Sequence, residues 1–207
     1  MLGLRERLIQ LSTLVAEAIL QGTTALITHD TALASQVSTD DVRLNGVRFG
    51  IEEMTYAMLE THQLKEREVR LVVSMVIVSQ ALEQIGDNAA NVAHLGLRLI
   101  RSGENGTSKT IKDELSEMAH TAAEMVNDAV KAFVDGDARL AEATVRRDRE
   151  LNEAYERLTG EETQTIPAER RLLLQWSAHN LQQIGTYVTA ICERAIFVAT
   201  GEFKEFR

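Results

Sequence analysis

The chain has 207 residues, of which 44% are apolar and 4% aromatic, and its net charge is −9. This acidic balance argues against a general nucleic-acid binder, because a phosphate backbone needs a basic face, and against adsorption to an anionic membrane surface. The single cysteine, Cys192, excludes an intramolecular disulfide and fits a reducing compartment. The most apolar run, 71–82, is too short to span a bilayer, so we expect a cytoplasmic protein without membrane insertion.

Apolar residues recur at helical spacing almost throughout the chain, which predicts an all-α protein. The first helix is predicted over about 4–28. Asp30 is a good N-cap for a second helix that runs to about His62, and a third helix begins near Lys65. The glycine-containing polar stretch 102–108 breaks helicity and is the predicted joint between two halves of the chain.

The second half repeats this plan. A fourth helix is predicted over about 109–134, and Asp137 caps a fifth helix as Asp30 caps the second. Pro167 lies in the first turn of a sixth helix, where its missing N–H costs nothing, and that helix ends near Thr200. We therefore predict six long antiparallel helices in two tandem three-helix bundles. The first repeat is 1–101, the linker is 102–108 and the second repeat is 109–207.

The two halves also match residue by residue. At an offset of 107 positions, Glu17, Asp30, Asp41 and Asn45 recur as Glu124, Asp137, Asp148 and Asn152. At an offset of 99, Leu82-Glu83-Gln84-Ile85-Gly86-Asp87 corresponds to Leu181-Gln182-Gln183-Ile184-Gly185-Thr186. The first repeat keeps two carboxylates where the second has neutral groups, so the chain is a duplication with one acidic motif altered.

Three glycines, Gly46, Gly50 and Gly86, lie inside predicted helices, where each costs about 1 kcal/mol relative to alanine. Such a cost is usually offset by the close approach of another helix, and we expect that here.

The acidic residues of the first repeat form two stripes. Residues four apart share a helix face, so Glu83, Asp87 and Asn91 lie together on the third helix, and Asp41 and Asn45 lie together on the second. Like charges at this spacing repel, and a cation between the helices would relieve the repulsion. Hard cations prefer six or more oxygen ligands. The side chains of two such helices, together with water molecules, come close to supplying that number.

Two interpretations of these stripes remain open. One is a metal site built from Asp41, Asn45, Glu83 and Asp87. The other is a solvated acidic face on which Arg48 makes an ordinary ion pair.

At this point the chain resembles a known family. Residues 82–93 resemble the Leu-Glu-Arg-Ile-Gly-Asp signature of the PhoU family, and the end of the chain, 197–202, resembles its last helix end. The sequences Asp41-x-x-Leu44-Asn45 and Asp148-x-x-Leu151-Asn152 resemble the second acidic motif of that family. The resemblance covers essentially the whole chain and includes the two-repeat plan.

The resemblance implies a cytoplasmic, non-enzymatic negative regulator of phosphate uptake and phosphate-starvation signalling. Such a regulator acts by contact between the ATPase subunit of a phosphate ABC transporter and a sensor histidine kinase, and it commonly forms a homodimer. The resemblance also implies one metal site in the first repeat, for iron, manganese, zinc or magnesium. The implied ligands are Glu83 and Asp87, with Asp41 and Asn45 opposite, and more weakly Asn91, Asp148 and Asn152.

The chain departs from the family pattern at three positions: Gln84 stands in place of arginine, and Gln182 and Thr186 replace both carboxylates of the second motif. Two other functions therefore stay open at this point. One is a hydrolase that activates water on a carboxylate-bound metal, and the other is a purely structural helical adaptor.

Overall fold

The computed structural model describes residues 2–102, 107–160, 163 and 166–206, and within them the chain is helical, without strands. The helices are α1 Leu2–Thr28, α2 Thr31–Thr61, α3 Glu66–Arg101, α4 Lys109–Asp135, α5 Ala138–Arg146, α6 Asp148–Thr159 and α7 Ala168–Thr200. The all-α prediction is confirmed. Most of the predicted linker, 103–106, lies outside the described residues, so the boundary between the repeats stays a prediction.

Four helices form the centre of the molecule. α1 contacts α3 and α4, and α7 contacts the same two helices from the other side. α2 packs outside α1 and α3, while α5 and α6 pack outside α4 and α7. A single apolar cluster runs through both halves, from Leu4 in α1 to Val198 in α7. Each repeat thus supplies two helices to the centre. The outer helices, α2 in the first repeat and α5 with α6 in the second, cover it, and the two repeats share one core.

The helix ends follow local sequence. Asp30 Oδ1 accepts a hydrogen bond from the Leu33 N–H at 2.9 Å, as expected for an N-cap. Asp137 Oδ1 accepts two, from Arg139 and Leu140, both at 3.0 Å. Pro167 differs slightly from its prediction, because it is the N-cap residue of α7 and not part of its first turn.

The predicted fifth helix is divided at Arg147 into α5 and α6. The Arg147 N–H donates to the Thr144 carbonyl at 3.0 Å, and the Glu150 N–H donates to the Arg147 carbonyl at 2.9 Å. Both hydrogen bonds span three residues, so the backbone tightens locally into a 3₁₀-type turn. Asp148 follows the break directly, and its carboxylate occupies the space that a side chain at Gly185 of α7 would need.

Two helices, α1 and α3, are long and apolar enough to cross a membrane by length and composition, contrary to the expectation drawn from the run 71–82. The apolar windows of these helices are 56% and 50% buried inside the protein, respectively. Core helices of soluble proteins pass the same test, so the two windows are weak evidence for a membrane span.

The expected close approach at helix glycines holds at two of the three positions. A Cβ at Gly86 would lie 2.9 Å from Leu44 Cδ1, and a Cβ at Gly50 would lie 2.7 Å from the guanidinium of Arg7. The expectation is wrong for Gly46, which has open space around its Cβ position.

The closest backbone approach lies at other glycines, between α1 and α3. A Cβ at Gly22 would lie 2.6 Å from the Ala89 carbonyl oxygen, and one at Gly96 would lie 2.9 Å from Leu26 Cα. Because backbone atoms cannot move aside as a flexible side chain does, these two glycines set the distance between the helices.

We expect Gly22→Ala to lower the free energy of unfolding by about 1–3 kcal/mol, because the added methyl group forces α1 and α3 apart. Gly46→Ala is the matched control: with open space at its Cβ, it should raise the free energy of unfolding by about 1 kcal/mol through helix propensity. Urea unfolding monitored by circular dichroism measures both. A Gly22→Ala protein as stable as the wild type would contradict the proposed contact.

Candidate functional site

The acidic residues of the first repeat meet where α2 packs on α3. Within α2, the Asn45 side-chain amide donates to Asp41 Oδ2 at 3.2 Å. Burial raises the pKa of Asp87 above its usual value, and the negative charges of Asp41 and Glu83 raise that pKa further. The structure therefore brings Asp41, Glu83 and Asp87 within electrostatic reach of one another, as the sequence analysis predicts.

Arg48 supplies the positive charge of this site. Its Nε lies 3.0 Å from Glu83 Oε2, and its Nη1 donates to Glu52 Oε1 at 2.6 Å. The Nε–H is not directed at Glu83 in hydrogen-bonding geometry, so the contact with Glu83 is an ion pair. The side chain of Arg48 is only 12% exposed, and such pairs are screened less than surface pairs. The ion pair considered in the sequence analysis is thus present.

The polar contact between the helices continues toward the end of α3. Ser38 Oγ of α2 and His94 Nε2 of α3 lie 3.2 Å apart, within hydrogen-bonding distance. Asn91 is exposed, one turn beyond Asp87. Neither Ser38 nor His94 belongs to a repeated motif, so no sequence pattern indicates that the two residues meet.

The corresponding place in the second repeat is built from one carboxylate and two side-chain amides. The Asn152 amide donates to Asp148 Oδ2 at 2.8 Å, and the Gln182 amide donates to Asn152 Oδ1 at 2.7 Å. Burial raises the pKa of Asp148, and the hydrogen bond from Asn152 opposes that rise. Gln182 stands where the first repeat has Glu83, so a chain of hydrogen bonds that ends on the carboxylate of Asp148 replaces the ion pair.

Both residues of the ion pair, Arg48 and Glu83, are replaced in the second repeat. By the offsets of the two repeats, Arg48 corresponds to Tyr155 and Glu83 to Gln182. The ring of Tyr155 contacts that of His179, with centroids 5.9 Å apart. The second repeat therefore loses the cation and its carboxylate together, and the carboxylate that remains there, Asp148, accepts a hydrogen bond from Asn152.

The metal site stays a prediction. In the part of the chain that the structure describes, no three His, Cys, Asp or Glu side chains converge closely enough to hold a metal ion. The carboxylate of Glu83 is engaged by Arg48, so a metal ion would compete with that guanidinium for it. The residues predicted more weakly also lie apart: Asp148 and Asn152 belong to the second repeat and bond to each other.

We expect Arg48→Tyr to lower the free energy of unfolding by about 1–2 kcal/mol, between the values for exposed and for fully buried ion pairs, because Glu52 and Glu83 lose their shared cation. The double variant Arg48→Tyr/Glu83→Gln reproduces the side chains of the second repeat and should recover part of that loss. Urea unfolding of the wild type, both single variants and the double variant measures the coupling. Additive single effects would show that the two residues do not interact.

The fold and the site together define a class: a duplicated all-α protein with a polar motif between the second and third helix of each repeat. The PhoU domain profile matches residues 8–95 and 115–195, which is most of both repeats. The chain belongs to the PhoU family.

Relatives match over nearly the whole chain. A Thermotoga maritima protein named phosphate-specific transport system accessory protein PhoU homolog 1 is 30% identical over 199 residues, covering 93% of this chain and 84% of its own. The PhoU homolog of Pseudomonas putida is 28% identical over 202 residues, covering 95% and 78%, respectively. The crystal structure of PhoU from Pseudomonas aeruginosa has a TM-score of 0.87 at 27% identity and covers 97% of both chains.

Proposed function

We propose that this protein is an accessory protein of a phosphate-specific transport system and a cytoplasmic negative regulator of phosphate uptake and phosphate-starvation signalling. One observation carries the proposal. The PhoU match extends along both repeats, and the relatives that match over the whole chain are named as accessory proteins of that transport system. The proposed role is regulatory and not enzymatic.

The proposed mechanism is protein contact. The partners are the ATPase subunit of a phosphate ABC transporter on one side and a sensor histidine kinase on the other, and the regulator itself is a homodimer. Long helices support this mechanism, because α2 alone presents 31 residues and its outer side is open to a partner. The titratable residues at the two motifs are largely engaged in structural contacts, such as Arg48 with Glu83 and Asp148 with Asn152.

Deletion of the gene in its host tests the function. We expect expression of phosphate-starvation genes in phosphate-rich medium and altered phosphate uptake, both restored by the wild-type gene. Copurification of the protein with the ATPase subunit and with the histidine kinase tests the contacts. Light scattering tests the homodimer, and it should give twice the 23.0 kDa mass of the chain. Unchanged expression and uptake in the deletion strain would contradict the regulatory role.

We also propose that a metal ion and Arg48 are alternative partners of Glu83. The carboxylates of Asp41, Glu83 and Asp87 already interact electrostatically, and carboxylate oxygens suit magnesium, manganese and iron. Zinc also accepts such ligands. The guanidinium of Arg48 must leave Glu83 before a cation takes its place, because both need the same carboxylate.

Elemental analysis of the purified, untagged protein tests this competition. We expect Arg48→Gln to bind more iron, manganese, zinc or magnesium than the wild type, because Glu83 is released. Adding Glu83→Gln and Asp87→Asn to that variant should remove the gain, since the ligands are then lost. Equal metal content in the wild type and Arg48→Gln would contradict the competition.

A further inference from the structure

Three large apolar side chains stand exposed in a line along the outer face of α2. Val42, Phe49 and Tyr56 are 74%, 54% and 66% exposed, respectively. They are spaced by seven residues, or nearly two helical turns, so they share one face of the helix. We call these three residues the α2 stripe. Its ends, Val42 and Tyr56, are 14 positions apart in sequence, which corresponds to about 21 Å along the helix axis.

The second repeat shows what this face becomes without such a stripe. Arg149 and Glu156 occupy the positions of Val42 and Phe49, and both are exposed. The two repeats share the same scaffold, so packing does not require apolar residues at these positions. Exposed apolar residues in a line indicate an interaction surface more often than scattered ones do.

The border of the α2 stripe is acidic. Glu53 and Glu60 lie exposed on the same side of α2, and Asp41 lies beside the stripe near Asp87 of α3. Arg43 is the basic residue that stays exposed on this part of α2. The charge of Arg48 is compensated by Glu52 and Glu83.

These charges favour one kind of occupant. A second copy of the chain would bring two acidic borders together, and an anionic membrane surface would be repelled in the same way. A helix with apolar residues on one face and lysine or arginine on both flanks would bury the stripe and pair with its border.

The α2 stripe also contacts the acidic site. The guanidinium of Arg48 lies over the ring of Phe49, 4.2 Å from its centroid, while its Nε faces Glu83. A helix seated on Phe49 therefore lies one side chain away from the motif of the first repeat.

We propose that the α2 stripe is the docking surface for a basic amphipathic helix of a partner protein, about four turns long. This inference rests on the proposed function, which requires contact with partners, and it assigns one such contact to the first repeat. A homodimer, as proposed above, forms through another face.

The test uses two fluorescein-labelled synthetic 21-residue helical peptides. Both carry leucine on one face at heptad spacing, and the flanks are lysine in one and glutamate in the other. We expect the full-length protein to bind the lysine peptide in fluorescence anisotropy and the glutamate peptide at least ten-fold more weakly. Val42→Arg/Phe49→Glu introduces the residues of the second repeat and should weaken binding of the lysine peptide at least ten-fold.

Leu172→Arg/Trp176→Glu on α7 is the matched control, because both residues are 45% exposed and lie outside the stripe. It should bind the lysine peptide as the wild type does, and melting curves should show that both variants fold. Equal binding by the stripe variant, or equal loss in the control, would overturn the proposal. A change in mass by light scattering in the stripe variant alone would also overturn it, since the stripe would then join two copies.

The same variants separate this inference from the proposed function. If the deletion strain shows the expected phenotype and Val42→Arg/Phe49→Glu restores it fully, the docking surface is refuted and the function stands. If deletion has no effect, the function is refuted whatever the peptides show.

Discussion

Packing of the third helix of each repeat against its counterpart is the constraint on which the rest of the molecule depends. α3 and α7 run antiparallel along most of their length: Arg98 of α3 lies over Trp176 near the start of α7, and Arg70 lies near Phe197 at its end. Because this contact is part of one continuous apolar cluster, neither repeat buries its own apolar residues completely without the other. The sequences of the outer helices, α2, α5 and α6, are less constrained, since these helices cover the centre from one side only.

Divergence is visible where charge is buried. An ion pair that is taken out of water is favourable only when both charges stay paired, and removing one partner is costly. The second repeat carries neither Arg48 nor Glu83 but Tyr155 and Gln182, and it fills the place with an aromatic contact and a side-chain hydrogen bond. The pairwise exchange follows from that energetic rule. It accounts for the joint loss of Arg48 and Glu83 in a half of the scaffold that keeps the carboxylate of Asp148.

Much of this architecture follows from local sequence signals. Helical spacing of apolar residues and the caps at Asp30 and Asp137 were sufficient to predict the helices, because these signals act within a few residues. The proximity of Asp41 to Glu83 and Asp87 was predictable from the repeat and from the polar stripes.

Other features depend on tertiary contacts and were not predictable in the same way. The break at Arg147 and the close approach at Gly22 arise from the positions of neighbouring helices. The choice of Glu83 as the partner of Arg48 depends on the rotation of α2 against α3, which no local pattern specifies. The two offsets of the repeat identify Asn152 and Gln182 as motif residues, but the hydrogen bond between them depends on how α6 packs on α7.

The division at Arg147 has a consequence for how the two outer layers respond to thermal fluctuation. α2 is a single helix of 31 residues, whereas its counterpart consists of α5 with nine residues and α6 with 12. Helices shorter than about 12–15 residues are marginal on their own, so each short segment depends on its contacts with α4 and α7. We therefore expect amide hydrogens of α5 and α6 to exchange with solvent through separate local openings, and those of α2 to be protected along one cooperative unit. The second repeat thus covers its half of the core with two short helices that depend on their packing, and the first covers its half with one continuous helix.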